Sequence, residues 1–235
     1  MSKSKLLIYV RVSVFIIATL SLGFYIFCIN NKSKQVTKIN LVTLDPDLYD
    51  QSWLTGIPCA APCWYGARPG ETSRENVKMI VSRLAFIDSG NIKESSTGGI
   101  SYPYKNQDGQ GDSIGMVFAD DTLEEIYMTL NYPITMEQAV EKLGNPDGFS
   151  AYPTDPGGTG YYLAVIWKKK QLVLEYTEDS GNISFWSTNP SLYEEIHSNN
   201  GKIPKSIIVQ DVRYTTPYHI DHMMNYKKWK GFVGN

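Results

Sequence analysis

Residues 59–75 read Cys59-Ala-Ala-Pro-Cys63-Trp64-Tyr-Gly66-Ala-Arg-Pro69-Gly70-Glu-Thr72-Ser-Arg-Glu75. This stretch places two cysteines four positions apart, followed by a tryptophan, a Pro-Gly turn and a helix start. Thr72 and Glu75 have the spacing of a capping box, in which each side chain binds the backbone amide of the other residue. The stretch therefore predicts that the folded part of the chain begins with a turn and an amphipathic helix capped by Thr72.

The two cysteines of this stretch predict a structural disulfide. A bond between Cys59 and Cys63 closes a short loop directly before Trp64, and such bonds persist only outside the cytosol. A metal site and a redox pair are the alternative interpretations. Zinc takes about four ligands, and the sequence has no second cysteine pair. Redox motifs have two residues between their cysteines, whereas this pair has three.

An apolar run precedes the stretch. Residues 12–29 carry no charge over 18 positions, which approaches the roughly 20 residues needed to cross a bilayer. We therefore expect residues 1–30 to form an N-terminal membrane anchor and residues 31–52 a polar tether. A cleaved signal peptide and a lipidated Cys28 are the alternatives, although the end of the run is bulky and Phe27 directly precedes the cysteine.

The expected topology follows from the cysteines rather than from the charges. Lysines flank the apolar run on both sides, so the positive-inside bias is weak. Because a structural disulfide requires an oxidising space, we expect the N-terminus inside the cell and the globular part outside. The prediction is a single-pass protein of the cell membrane with an extracytoplasmic body.

The charge of the chain argues against nucleic acid as a partner. The 235 residues carry a formal net charge of −2, and beyond the apolar run the excess of acidic residues is larger. Neutralising phosphates requires a basic face, so a mildly acidic body does not fit this class of ligand. At 42% hydrophobic and 20% charged residues, the composition is that of a folded protein.

Two successive segments show a helix followed by strands. Residues 53–132 contain the helix after Thr72 and strand-like segments at 91–97, 113–119 and 123–129, the last two joined by an Asp-Asp turn. Residues 133–188 contain a second capping box, Thr135 with Gln138, and strand-like segments at 149–152, 161–168, 171–177 and 182–186. Residues 189–235 form a C-terminal extension with helix starts at Pro190 and Pro217 and a β-rich run between them.

These patterns predict an α+β fold. It comprises an N-terminal transmembrane helix followed by repeated helix-plus-antiparallel-sheet units, with the C-terminal extension packed on the same domain. The Gly-rich segments 106–112 and 156–160 are interpreted as solvated loops, because neither has the complete pattern of a calcium or phosphate site.

The opening stretch resembles a signature of uncharacterised extracytoplasmic bacterial proteins, written PCWxGIxPGxT. The matching residues are Cys59, Cys63, Trp64, Gly66, Pro69, Gly70 and Thr72, whereas Ala67 stands where the signature usually has Ile. Residues 66–186 are also similar in pattern to the small outer-membrane-assembly lipoprotein fold and the β-lactamase inhibitor protein fold. Those folds bind other proteins, so the resemblance implies a binding or scaffold role.

The densest group of metal-ligand residues is His219, Asp221 and His222. The two histidines are three positions apart, so on a helix they share a face. We weigh this group as the site of a metal-dependent hydrolase against an interpretation as ordinary residues of a tail helix. Paired acids such as Glu124 and Glu125 diverge on a strand and are interpreted as solvated charges.

Aromatic side chains suggest a binding surface on the second sheet. Tyr161, Trp167 and Trp186 lie in strand-like segments. Because side chains alternate between the two faces of a strand, these residues either pack in the core or form an exposed binding face, and the sequence does not choose between the two. The leading prediction is a non-enzymatic extracytoplasmic interaction or scaffold domain, without a cofactor, that contacts the membrane through residues 12–29 and another envelope protein through its sheet. The alternatives are the metal-dependent hydrolase and a carbohydrate- or peptide-binding domain.

Overall fold

The computed structural model of the chain describes residues 45–105, 113–153, 161–178, 192–223 and 226–234. The predicted anchor 1–30, the Gly-rich segments 106–112 and 156–160 and the predicted strand 182–186 lie outside these residues. Among the described residues, no helix is both long enough and apolar enough to cross a membrane. All of them belong to one unit, Ile39–Asn235.

The described part of the chain is mainly β-structure. Its strands are β1 (Lys93–Glu94), β2 (Ile100–Pro103), β3 (Ser113–Ala119), β4 (Thr122–Thr129), β5 (Gly148–Pro153), β6 (Tyr161–Trp167), β7 (Leu172–Glu178), β8 (Asp211–Thr215) and β9 (Lys227–Lys228). Its helices are short: α1 (Ser52–Thr55), α2 (Arg74–Val81), α3 (Met136–Leu143), α4 (Leu192–Ser198) and α5 (Pro217–Asp221), with a single 3-10 turn at Lys168–Lys170.

All nine strands form one antiparallel sheet in the order β1-β2-β3-β4-β8-β7-β6-β5-β9. Strand β8 lies between the two predicted units, and Val212 is opposite Met128 of β4 on one side and Leu174 of β7 on the other. The predicted fold class, repeated helix-plus-sheet units after a transmembrane helix, is therefore wrong for the described chain. Local periodicity identified the strands, but it contains no information on the long-range pairing through β8.

Several strands agree with their predicted positions. Strand β3 has the predicted bounds, and Asp120 and Asp121 form the tight turn before β4 with positive φ angles of 45° and 68°. Two positive φ angles are typical of the hairpin turns that match the twist of a sheet. A register shift after Val117 lets both Leu123 and Ile126 of β4 face the core although they are three positions apart.

Helices α2 and α3 pack on one face of the sheet through their apolar sides. Val77 and Val81 of α2 and Met136 and Ala139 of α3 are buried in the main core. The predicted capping box at Thr135 is confirmed: Gln138 N–H donates to Thr135 Oγ1 at 3.2 Å, and Thr135 N–H donates to Gln138 Oε1 at 3.0 Å. A cap of this kind stabilises a helix by about 1 kcal/mol.

The predicted capping box at Thr72 is wrong by one residue. Ser73 is the N-cap of α2, and its hydroxyl accepts from the backbone N–H of Asn76 at 3.4 Å. Thr72 Oγ1 instead accepts from the backbone N–H of Arg68 at 2.8 Å. Both residue types are good helix caps, but the Thr72 hydroxyl is already occupied by its hydrogen bond within the preceding turn. The prediction that Pro217 begins the last helix is confirmed.

Candidate functional site

The predicted disulfide is present. Cys59 and Cys63 are joined at an S–S distance of 2.11 Å, and Trp64 follows directly as a fully buried side chain. Trp64 Nε1 donates to Asp50 Oδ2 at 2.6 Å, and the backbone N–H of Ser52 donates to Asp50 Oδ1 at 2.8 Å. Burial raises the pKa of the Asp50 carboxyl, and the hydrogen bond from Trp64 opposes this increase.

The remaining signature residues shape the turn that leads into α2. Gly66 and Gly70 have φ angles of 97° and 82°, a region that favours glycine. Gly70 N–H donates to the carbonyl of Leu123 at 2.7 Å, and Leu123 N–H donates to the carbonyl of Thr72 at 2.8 Å. These two backbone hydrogen bonds join the segment to the start of β4. Its residues support the fold, and two of them, Gly66 and Thr72, also line a cavity of about 480 Å³.

The three metal-ligand candidates do not converge. Asp221 Oδ1 lies 3.1 Å from Lys168 Nζ, and His222 Nδ1 donates to the carbonyl of Tyr218 at 2.6 Å. His219 Nδ1 faces Glu125 Oε1 at 3.2 Å. Among the residues that the structure describes, no group of three or more His, Cys, Asp or Glu side chains is placed to hold a metal ion.

The predicted aromatic surface is not assembled as expected. Trp167 is only 3% exposed, and its Nε1 donates to the carbonyl of Gly144 at 2.9 Å, so it is a core residue. Tyr161 is half-buried at the start of β6. Trp186 lies outside the described residues. Two other aromatic side chains, Tyr152 and Tyr162, line a cavity on the sheet, and their ring centroids are 4.9 Å apart.

The candidate site lies on the sheet face opposite the main core, which we call the outer face. Its centre is Arg213 of β8, which is opposite Tyr127 of β4 and Val173 of β7. The guanidinium carbon lies 5.5 Å from the centroid of the Tyr127 ring. A charged side chain in the middle of a sheet needs partners on the neighbouring strands.

Two glutamates supply those partners. Arg213 Nη2 donates to Glu175 Oε2 at 3.2 Å, and Nε lies 3.1 Å from Oε1, close enough for an ion pair although its N–H does not point at that oxygen. On the other side, Arg213 Nη1 lies 3.9 Å from Glu125 Oε1. Tyr162 of β6 donates its hydroxyl proton to Glu175 Oε1. Four strands, β4, β8, β7 and β6, thus contribute to one network of hydrogen bonds and ion pairs.

Burial sets the protonation behaviour of this network. Glu175 is 2% exposed, and burial raises the pKa of its carboxyl while the charge of Arg213 and the bond from Tyr162 lower it. Burial and the negative charge of Glu175 raise the pKa of the Tyr162 phenol. The phenol therefore remains protonated and keeps donating to Glu175 at any ordinary pH.

Helix α5 covers one end of the outer face. Its Ile220 packs on Ala164, Ile166 and Val173, which form a second, smaller apolar cluster. His219 of the same helix is 3.1 Å from Thr215 Oγ1, and that hydroxyl donates to Glu125 Oε1 at 2.9 Å. Thr215 is fully buried, so this arrangement positions the imidazole and does not expose a nucleophile.

Beside the network lies an open cavity of about 460 Å³, within the range of ligand pockets. Besides the ionic side chains and the two tyrosines, its walls include Val117, Ser150, His219, His222 and Met223. Sequence reasoning misses this site, because the adjacent acids Glu124 and Glu125 are typical of solvated charges and no sequence motif includes Arg213 or Glu175. The available signal was a charged residue in the middle of an otherwise apolar strand, as Glu175 is within residues 172–176.

Comparison of the chain with protein-family models, with curated proteins and with solved structures finds no match in any of the three. The resemblance of residues 59–72 to the extracytoplasmic signature, and of residues 66–186 to the lipoprotein and inhibitor folds, therefore stays a prediction.

Proposed function

We propose that the chain is an exported, non-enzymatic binding domain that recognises another envelope protein through the outer face. The observation that carries the proposal is the network of Arg213, Glu175, Glu125 and Tyr162 beside an open cavity. A sheet face that only meets water needs no buried ion pair. A network held by four strands presents fixed donors and acceptors to a partner at little cost in conformational entropy.

The disulfide supports export, because such bonds persist outside the cytosol. The uncharged run 12–29 supports attachment of the exported body to the cell membrane. The acidic excess of the body supports a protein or other polar partner over nucleic acid. A metal-dependent hydrolase has less support, because Asp221 is paired with Lys168 away from the two histidines.

Site-specific photo-crosslinking in intact cells tests this proposal. A photoreactive phenylalanine analogue replaces Val117, which is 45% exposed and lines the cavity, or Ile92, which is 43% exposed and does not. We expect a discrete adduct from position 117 that disappears with Tyr152→Ala, because the ring forms one wall of the cavity. Identical adducts from positions 117 and 92, or an adduct from 117 that Tyr152→Ala leaves unchanged, contradict the proposal.

A carbohydrate ligand is the second candidate for the same face. The adjacent rings of Tyr152 and Tyr162 and the fixed carboxylates favour it, because sugars stack on aromatic rings and bond to planar polar groups. A glycan screen with the full chain checks this candidate. Saturable binding that is lost in Tyr152→Ala and retained in the exposed control Tyr226→Ala supports it, whereas equal loss in both variants contradicts it.

A further inference from the structure

We propose a second binding site, independent of the outer face, that takes a phosphate-bearing anion. It is a cavity of about 460 Å³ at the β9 edge of the sheet, which we call the lysine cavity. Its polar lining consists of Lys227, Lys228, Lys230, His197 and Asn200. The site goes beyond the proposed function and does not depend on it.

The charge of the lining is the first argument. Three lysine residues line the cavity, and no acidic residue that the structure describes does. Lys230 Nζ donates to the neutral Asn200 Oδ1 at 3.1 Å, and within the described residues none of the three lysines forms an ion pair. In a chain with a formal charge of −2, this is a local concentration of positive charge. A bound anion relieves the mutual repulsion of the three groups.

The backbone around the cavity is held in place, which is the second argument. Lys227 and Lys228 of β9 pair with Phe149 and Gly148 of β5. After β9, Ile203 N–H donates to the carbonyl of Gly231 at 3.1 Å, and Val233 N–H donates to the carbonyl of Ile203 at 3.1 Å. The lysines therefore project from a bonded framework, and binding an anion does not require that framework to be ordered first.

The kind of anion follows from the shape and number of the donors. The floor of the cavity is apolar, with Phe149 and Ile196 both buried, so the charges act next to a wall of low polarity. A phosphate monoester carries between one and two negative charges at neutral pH and presents three acceptor oxygens, whereas a carboxylate has one charge and two oxygens. A cavity lined by three lysine residues matches the phosphate better. Two sources share this chemistry, a free phosphate and the phosphomonoester headgroup of phosphatidic acid.

Chemical protection of the lysines provides the test. The full chain in neutral-detergent micelles is acetylated with a limiting reagent, alone, with inorganic phosphate, or with phosphatidic acid added to the micelles. The peptides are then quantified by mass spectrometry. We expect acetylation of Lys227, Lys228 and Lys230 to slow by about threefold or more. The exposed lysines Lys93, Lys142 and Lys169 serve as internal controls and keep their rates.

The two arms distinguish the sources. Protection by inorganic phosphate in neutral micelles identifies a free phosphate site, whereas protection only with phosphatidic acid identifies a headgroup site. No protection in either arm, or equal protection of the control lysines, overturns the proposal. Because this measurement uses the natural chain, it decides the question even where a variant fails to fold.

A variant provides the matched comparison. Replacing Lys227, Lys228 and Lys230 together by Gln is expected to weaken binding of the effective probe by about tenfold or more, since each ammonium contributes a charge-assisted bond. Replacing Lys93, Lys142 and Lys169 by Gln changes the net charge equally and is expected to leave binding unchanged. Equal affinities of the two triple variants contradict the proposal. Crosslinking from position 117 on the outer face is expected to persist in both, which separates this site from the proposed function.

Discussion

Asp50 and Glu175 are both buried carboxylates, but the two regions around them satisfy the charge differently. Asp50, beside the disulfide loop, accepts from neutral donors, namely Trp64 Nε1 and the backbone of Ser52. Glu175, on the outer face, faces the guanidinium of Arg213 and the hydroxyl of Tyr162. Burial raises the pKa of both carboxyls.

This difference indicates that the Asp50 region has a structural role and the Glu175 region a role in binding. Trp64 and Ser52, which donate to Asp50, are themselves buried. Tyr132 donates to the Asp50 carbonyl and accepts from Trp53 Nε1 at 2.8 Å, so these groups satisfy one another inside the protein. The network of Glu175 borders an open cavity, and Arg213 remains partly exposed. The first region holds the opening stretch against the core, and the second presents fixed charges to a ligand.

The largest expected effect is on the Asp50 region. Asp50→Ala leaves Trp64 Nε1 and the Ser52 amide buried without an acceptor, and we expect a loss of roughly 3 to 4 kcal/mol in the free energy of unfolding. Chemical denaturation of the full chain in detergent measures it. The exposed Asp47→Ala is the control and is expected to change little. A small effect of Asp50→Ala contradicts the structural role of this carboxylate.

The second-largest expected effect is the loss of stability when Arg213, the cation of the outer face, is replaced. Arg213→Met leaves Glu175 buried beside Tyr162 alone, and we expect a loss of roughly 2 to 3 kcal/mol, reduced from the cost for a fully buried pair because Arg213 is partly exposed. The double variant with Glu175→Gln removes the stranded charge and is expected to recover most of that stability. The same denaturation experiment includes the exposed Arg83→Met, and equal losses in the two single arginine variants argue against a buried network.

Opening the disulfide is expected to cost less. The loop between Cys59 and Cys63 is short, so the bond removes little chain entropy from the unfolded state, and we expect a loss of about 1 to 2 kcal/mol in the double Ser variant. Thermal melts with and without reductant check it. Crosslinking from position 117 is expected to survive, because the outer face does not use this loop. Loss of the crosslink in a folded variant places the two regions in one functional unit.

The smallest expected effect is the dependence of the free energy of unfolding on pH, which also compares the two carboxyls. Because the pKa values of Asp50 and Glu175 are raised above their ordinary values of 3.8 and 4.5, the folded state binds more protons than the unfolded state between the ordinary and the raised values. The free energy of unfolding is therefore expected to fall as pH rises through that window, and to be unaffected by these groups below it. Asp88 and Glu94, whose pKa values are lowered by hydrogen bonds, contribute in the opposite direction.

Differences between variants isolate the two carboxyls. Glu175→Gln and Asp50→Asn each remove one titration, and we expect both to flatten the curve of unfolding free energy against pH, measured from pH about 4 to about 8. The flattening is expected to be larger for Asp50→Asn, because Asp50 has only neutral hydrogen-bond donors while Glu175 has Arg213. A wild-type curve that rises through this range, with variants parallel to it, contradicts the assignment.

Local chemistry made part of this molecule predictable. The hairpin of β3 and β4 follows from alternation and the Asp120-Asp121 turn, and the cap of α3 follows from Thr135 and Gln138. The cysteine pair likewise follows from its spacing and from the apolar run before it. Each of these features involves residues close together in the sequence.

The outer face was not predictable in this way. Thr215 and Glu125 are 90 positions apart, and Arg213 and Glu175 are 38 positions apart. They meet because β8 pairs with both β4 and β7, and no pattern within a single strand reveals that pairing. The Thr72 cap was misplaced for a different reason, since two adjacent hydroxyl residues are equally suitable and tertiary contacts choose between them.

The position of β8 has a consequence for how the protein is made. Its residues leave the ribosome after those of β1 to β7, yet they occupy the centre of the sheet. Until Asp211–Thr215 has emerged, the hydrogen-bonding groups of β4 and β7 that face β8 lack their natural partner and offer a template to other chains. Safe biogenesis therefore requires that the nascent chain be shielded until synthesis is nearly complete.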